Sequence, residues 1–179
     1  MQNQGVQTNW YVVTGGPSSG KTTTVNLLQS HGYKTTIEHA RHYIDTQKVT
    51  GKTVEEIRAN QIVFQQGILD MQIEQEQAIS PDDVVFLDRA IPDALAYYRF
   101  LELSPDEKLQ EAVHKHLYKK VFILDPLPLV SDYARTEDGD AQKKIHALLT
   151  EAYESLPYPV VHVPVLSPEE RVDFILKNI

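Results

Sequence analysis

Apolar residues along the chain alternate between short unbroken runs and stretches with helical spacing. Trp10-Tyr11-Val12-Val13, Val84-Val85-Phe86-Leu87 and Val121-Phe122-Ile123-Leu124 are runs of the first kind. Unbroken apolar runs of this length suit strands that are covered on both faces, as in a parallel sheet. Tyr33-Lys34-Thr35-Thr36-Ile37-Glu38 and Tyr158-Pro159-Val160-Val161-His162-Val163 are rich in β-formers and read as two further strands.

Helices are expected between these strands. The first runs from the residues after Gly20 to about Ser30 and is stopped by His31-Gly32, since glycine suits the left-handed position past a helix. His39 to about Val49 reads as a short helix closed by Gly51. Thr53-Val54-Glu55-Glu56 is a capping box and predicts one long helix to Ile79, broken by Pro81-Asp82. Pro92 suits a first helical turn, giving a helix over Ile91–Leu103. Ser104-Pro105-Asp106-Glu107 caps another that ends near Leu117. The stretch 129–140 is polar and charged, with Glu137-Asp138-Gly139-Asp140 read as a turn, and a helix follows to about Ser155. Ser167-Pro168-Glu169-Glu170 is a second capping box and opens the last helix. Strands alternating with helices imply an α/β fold with a parallel sheet and right-handed crossovers.

Composition narrows this picture only at the margins. A chain of 179 residues with 41% hydrophobic and 23% charged content is expected to form one globular domain over its whole length. No apolar run approaches the roughly 18 residues needed to cross a bilayer, and Met1-Gln2-Asn3-Gln4 lacks the regions of a signal peptide, so no membrane partner is expected. Cysteine is absent, which excludes disulfides and thiolate zinc sites and fits a reducing, cytoplasmic compartment. The formal charge of −8 argues against nucleic acid as a partner, because such binding needs a broad basic face. A homodimer is compatible with all of this.

The candidate chemistry centres on Gly15-Gly16-Pro17-Ser18-Ser19-Gly20-Lys21-Thr22, which fits the phosphate-binding pattern G-x-x-x-x-G-K-[ST] at every fixed position. Gly15 and Gly20 can adopt positive φ, so successive backbone N–H groups can face one concavity. Lys21 places an ammonium beside the β- and γ-phosphates, and the Thr22 hydroxyl is a hard oxygen ligand suited to Mg²⁺. Thr23 follows in the helix, whose positive end adds to the site. ATP with Mg²⁺ is the cofactor this arrangement implies.

In parallel sheets ligands lie outside the carboxyl ends of the strands. That rule gathers Glu38, Asp88, Arg89 and Asp125 along the same edge as the loop. Asp88 closes an apolar strand, the usual form of a Walker B acid, and would hold the metal beside Thr22; the alternatives are an N-cap or a pair with Arg89. Arg89 would lie close to the transferring phosphate, or else pair with Asp88 or Glu38. A carboxylate at Glu38 suits general-base work on an attacking hydroxyl, and Arg41 would pair with it or contact the acceptor; a surface salt bridge is the alternative. Asp93 and Tyr97 share a helix face and suit an acceptor pocket, or else a helix-dipole contact and core packing. Gln61 and Gln65 interrupt an apolar pattern, either to bond a polar acceptor or to face solvent. Arg135 lies in the stretch 129–140, where a lid would close an arginine over developing phosphate charge, or else is a solvated loop residue. The histidines lack the spacing and the third ligand of a metal site.

Together, Gly15–Thr22, Ile37-Glu38-His39-Ala40-Arg41 and Leu87-Asp88-Arg89-Ala90-Ile91-Pro92-Asp93-Ala94-Leu95-Ala96-Tyr97 resemble the AAA-type ATPase/kinase domains grouped with ribosylnicotinamide kinase. Tyr153 and Pro168-Glu169-Glu170-Arg171 are similar too, so the resemblance covers nearly the whole chain. It implies a P-loop NTPase fold, a three-layer αβα sandwich whose five-stranded parallel sheet has the order 2-3-1-4-5, with ATP and Mg²⁺ as cofactors. Deoxynucleoside kinases are similar more loosely, with an acid after the second strand and an acid–Arg pair after the third. The expected activity is ATP-dependent phosphorylation of a small, nucleoside-like or riboside-like acceptor. An NTPase or nucleotide-gated switch with water as acceptor, and a nucleotide-binding regulatory module, remain the other readings. The chain has Asp88, not Glu, before Arg89, and no nicotinamide-specific signature.

Overall fold

The computed structural model describes residues 5–17, 19–36, 51, 53–128 and 138–179. At its centre is β2, Trp10–Thr14, whose five residues are all buried. It pairs in parallel with β4, Val85–Asp88, on one side and β6, Lys120–Leu124, on the other. β3, Lys34–Thr35, lies outside β4, and β7, Val160–Val163, lies outside β6. Numbered by their order along the chain, these five strands stand in the expected order 2-3-1-4-5.

Two short strands were not expected. β1, Val6–Gln7, pairs in parallel with β5, His116–Leu117, as a separate ribbon at the amino end of the sheet. The Thr8 hydroxyl donates to the Leu117 carbonyl at 2.9 Å and extends this contact. The helix expected to reach Leu117 is therefore shorter. It covers Glu107–Ala112, capped by the Asp106 side chain, and the chain turns at 113–115 to enter the strand.

Strand side chains alternate between the two faces of the sheet. Tyr11 and Val13 point to one face, covered by α1, Lys21–Ser30, and by α7, Pro168–Lys177, through Val25, Leu28, Val172 and Ile175. Trp10 and Val12 point to the other, covered by α4, Pro92–Phe100, and α6, Asp138–Glu154, through Ala96, Ile145, Leu149 and Tyr153. This is the three-layer αβα sandwich. α5, Glu107–Ala112, and the long helix α3, Gln61–Ala78, pack outside α4 around Leu69, Ile91, Ala94, Tyr98 and Leu109.

The helix expected to run unbroken from Thr53 is two helices. α2 covers Val54–Ala59 with the Thr53 side chain accepting from the Glu56 N–H, and α3 starts afresh at Gln61. Asn60 leaves the helical region at φ −101°, ψ 86° and accepts from the Val63 N–H, which makes it the cap of the second helix. A side-chain amide that can replace a backbone acceptor competes with helix continuation, and here the competition ends one helix and begins the next. In the stretch expected to turn, residues 138–140 are instead the first residues of α6, as suits acidic residue types at a helix start. The capping box at Ser167 and Glu170 forms in full. His31-Gly32 ends α1 as expected, with Gly32 at φ 93° and the Tyr33 N–H bonded back to the Leu28 carbonyl. No helix among the described residues is long and apolar enough to cross a membrane.

Candidate active site

The site grows from the carboxyl end of β2. After Thr14 the chain passes through Gly15–Gly20 and enters α1 at Lys21. Gly20 takes φ 82° at the cap of α1, and no side chain among the described residues caps this helix. The amino end of a helix carries backbone N–H groups and the positive end of the dipole, which is how such ends bind phosphate. Gly15 does not have positive φ, contrary to the sequence expectation. It is needed for closeness instead: a Cβ there would lie 2.7 Å from Ser19 Oγ and 3.0 Å from the Leu124 carbonyl.

Lys21 and Asp88 meet. The register of β2 against β4 sets Asp88 beside Val13, and the Lys21 ammonium donates to Asp88 Oδ1 in a contact where both side chains are buried. The Asp88 N–H donates to the Thr36 hydroxyl at 2.9 Å, which ties the end of β3 to the same point. Thr22 stands next to Lys21 in the first turn of α1. The donor set fits a magnesium nucleotide: a hard hydroxyl and a carboxylate for the metal, an ammonium and the amino end of a helix for phosphate. Ser19 Oγ, buried inside the loop, has no partner among the described residues and fits a phosphate oxygen.

Arg89 follows Asp88 in a left-handed conformation, φ 65°, with its N–H donated to the Val13 carbonyl at 3.0 Å. A bulky residue held there is strained, and such strain concentrates at functional sites. Its guanidinium pairs with Asp93 at 2.8 Å, a partner the sequence alternatives did not include, and lies over the Tyr97 ring at 5.5 Å. Burial works against its charge, but Tyr97, Asp93 and Asp88 together raise its pKa, so Arg89 is a permanent cation.

Asp93 is a junction. It is buried, and besides Arg89 it accepts from the Thr14 hydroxyl at 2.8 Å, from the Tyr153 hydroxyl and from the Ala90 N–H at 3.4 Å. Burial and the Asp93 charge raise the Tyr153 pKa well above its ordinary value, which keeps the phenol a donor. Tyr97 is half-buried against the core beside Arg89. Gln61 is exposed, whereas Gln65 is buried and does not face solvent.

Three further residues join the loop without having been expected. The Gln142 side chain donates to the Pro17 carbonyl at 2.5 Å, fixing α6 to the loop. His146, one turn on, packs on Gly16, and burial lowers its pKa so that it stays neutral. Arg171 of α7 is buried and donates to the carbonyls of Ser19, Asp125 and Pro164. Its sequence signal was a charge within the buried stripe of Arg171, Val172 and Ile175. Ser18, Glu38, Arg41 and Arg135 lie outside the described residues, as does the segment 129–137 of the expected lid.

A family model described as an AAA domain matches residues 10–171. The chain belongs to this AAA domain family. The matched span of the AAA domain starts on the first residue of β2 and ends on Arg171. Solved structures with the same fold include a NadR protein in complex with NR, at TM-score 0.65 and 18% identity, covering 95% of this chain and 51% of that one. The AAA domain thus spans about half the length of that NadR protein. Thymidylate kinase from Ehrlichia chaffeensis matches at TM-score 0.66 and 12% identity, over 97% of this chain and 98% of that one. Deoxyadenosine kinase from M. mycoides matches at TM-score 0.64 and 12% identity, over 94% and 97%. No curated protein sequence matches the chain.

Proposed function

We propose that the protein is an ATP-dependent kinase that transfers the γ-phosphoryl group to a hydroxyl of a nucleoside-like or riboside-like acceptor. The observation that carries this reading is the presence of two cations at Asp88, one in contact with it and one next to it in the chain. Lys21 comes from the phosphate loop, and Arg89 is held at the neighbouring position by Asp93 and Tyr97. A loop and its lysine are enough to bind a nucleotide. A second, rigidly held arginine beside the acid supplies charge where the transferred group and its acceptor meet. The likeness in fold to kinases of small molecules supports the same reading.

In this mechanism the loop amides, Ser19 and Lys21 bind the polyphosphate, and Thr22 and Asp88 would hold Mg²⁺. Bound there, Mg²⁺ would supply neutralisation of the phosphate charge. Arg89 offers its fork to the transferring group. Glu38, two residues after Thr36 in sequence, accepts the proton of the attacking hydroxyl, Arg41 contacts the acceptor, and Arg135 closes over the reaction from the lid. Such a site works by positioning and electrostatics and needs no covalent intermediate.

The test is a panel of nucleosides, ribosides and nucleotides incubated with ATP and Mg²⁺, read by mass increase of the acceptor. Transfer to one class is expected; ADP release that no acceptor accelerates would count for an NTPase. With the acceptor in hand, Glu38→Gln is expected to lower kcat by about 10²-fold or more while ATP binding by calorimetry stays the same. An unchanged kcat would remove Glu38 from the role of base.

A further inference from the structure

We propose that Arg171 is a positioning residue of the phosphate site, a buried cation on the last helix that fixes the direction of a loop peptide and lends the loop its charge. This rests on the nucleotide reading above and adds a residue from the far end of the chain.

Arg171 is 2% exposed. Its Nη1 donates to the Ser19 carbonyl, its Nη2 to the Asp125 carbonyl at 2.7 Å and its Nε to the Pro164 carbonyl at 3.2 Å. One guanidinium therefore joins the phosphate loop to the chain leaving β6 and β7. All three acceptors are neutral, and among the described residues no carboxylate lies within ion-pair distance of it. Burial works against this charge and lowers the Arg171 pKa, and the Asp125 carboxylate offsets only part of that, so a buried cation whose hydrogen bonds all go to carbonyls is an expensive strut. Next to an anion site the same charge has a use: it raises the local positive potential in a region that water does not screen.

The geometry of the peptide gives a second use. A trans peptide is planar, so its C=O and N–H point in opposite directions. With the Ser19 carbonyl turned onto Arg171, the N–H of Gly20 points away from the guanidinium. Gly20 is at φ 82°, and a Cβ there would lie 3.2 Å from Arg171 Nη1, so the guanidinium packs directly on this residue. Glycine can turn its peptide planes more freely than any other residue. Without Arg171 the Ser19–Gly20 peptide is free to flip, which would present a carbonyl oxygen to phosphate in place of a donor. Arg171 thus selects the anion-binding state of the loop without touching the nucleotide.

The test compares ADP, whose β-phosphate enters the loop, with AMP, which lacks it. Calorimetry on the full chain with Mg²⁺ is expected to show the wild-type protein preferring ADP. Arg171→Met is expected to weaken ADP about thirtyfold and AMP less than about threefold. Arg171→Lys is expected to fall between, because an ammonium keeps the charge but loses the planar fork. A purely structural role would lower Tm and leave the ADP-over-AMP preference of the folded protein intact, and that result would overturn the proposal. An equal loss for both nucleotides would overturn it too. If Arg171→Met does not fold, Arg171→Lys decides by the same preference. A wild-type protein that binds neither nucleotide would end the nucleotide reading and this proposal together, whereas unchanged variants of an ADP-preferring protein would end this proposal alone.

Discussion

Lys21→Met is expected to lower kcat/KM for ATP-dependent transfer by about 10³-fold. The ammonium is buried at the foot of α1 and lies on Asp88, so it has two functions that a single substitution removes together. One is the charge it offers to the β- and γ-phosphates. The other is to neutralise a carboxylate that is itself buried, and taking one partner from such a pair costs about 3 kcal/mol. The losses separate in the double variant Lys21→Met/Asp88→Asn. Its urea midpoint is expected to return toward wild type, since the buried negative charge is gone, while transfer stays as low as in Lys21→Met or lower. If the single variant folds and transfers at the wild-type rate, the phosphate site is not in this loop.

That contact also shows why the core of the site was legible. The phosphate loop and the Asp88 strand are each encoded by neighbouring residues, and the parallel register of β2 and β4 does the rest by setting Asp88 against Val13. The parallel sheet covered by helices follows from unbroken apolar runs and alternating helices, whereas the strand order was what the family resemblance implied. What escaped the sequence depends on partners distant along the chain. Asp93 and Tyr97 share a face by spacing, but Asp93 takes its bonds from Thr14, 79 residues away, and Tyr153, 60 residues away. Arg171 reaches the Ser19 carbonyl across 152 residues. Asn60 was hidden for the opposite reason. Apolar spacing continues on both sides of it, and only its local competition for a backbone N–H divides the helix. β5 is two residues long, too short to show a period.

Asp93→Asn is expected to cost about 3 kcal/mol of stability and to lower transfer by about 10²-fold, whereas Tyr153→Phe is expected to cost about 1 kcal/mol. The difference follows from what each change leaves behind. The Asp93 carboxylate accepts from the Thr14 and Tyr153 hydroxyls, the Arg89 guanidinium and the Ala90 N–H. An amide at this position turns one of its oxygens into a donor that faces other donors, and it removes the counter-charge of a buried cation. Arg89 is then left in its left-handed conformation without the ion pair that helps to hold it there. Tyr153→Phe removes one donor from a carboxylate that keeps the others, so Arg89 stays in place and transfer is expected to remain within about threefold of wild type. Urea midpoints of the two single variants and the double variant complete a cycle whose coupling term reports how far the two losses are shared through the Tyr153–Asp93 contact. Equal losses of activity in Asp93→Asn and Tyr153→Phe would mean that α6, and not the charge of Asp93, sets the position of Arg89.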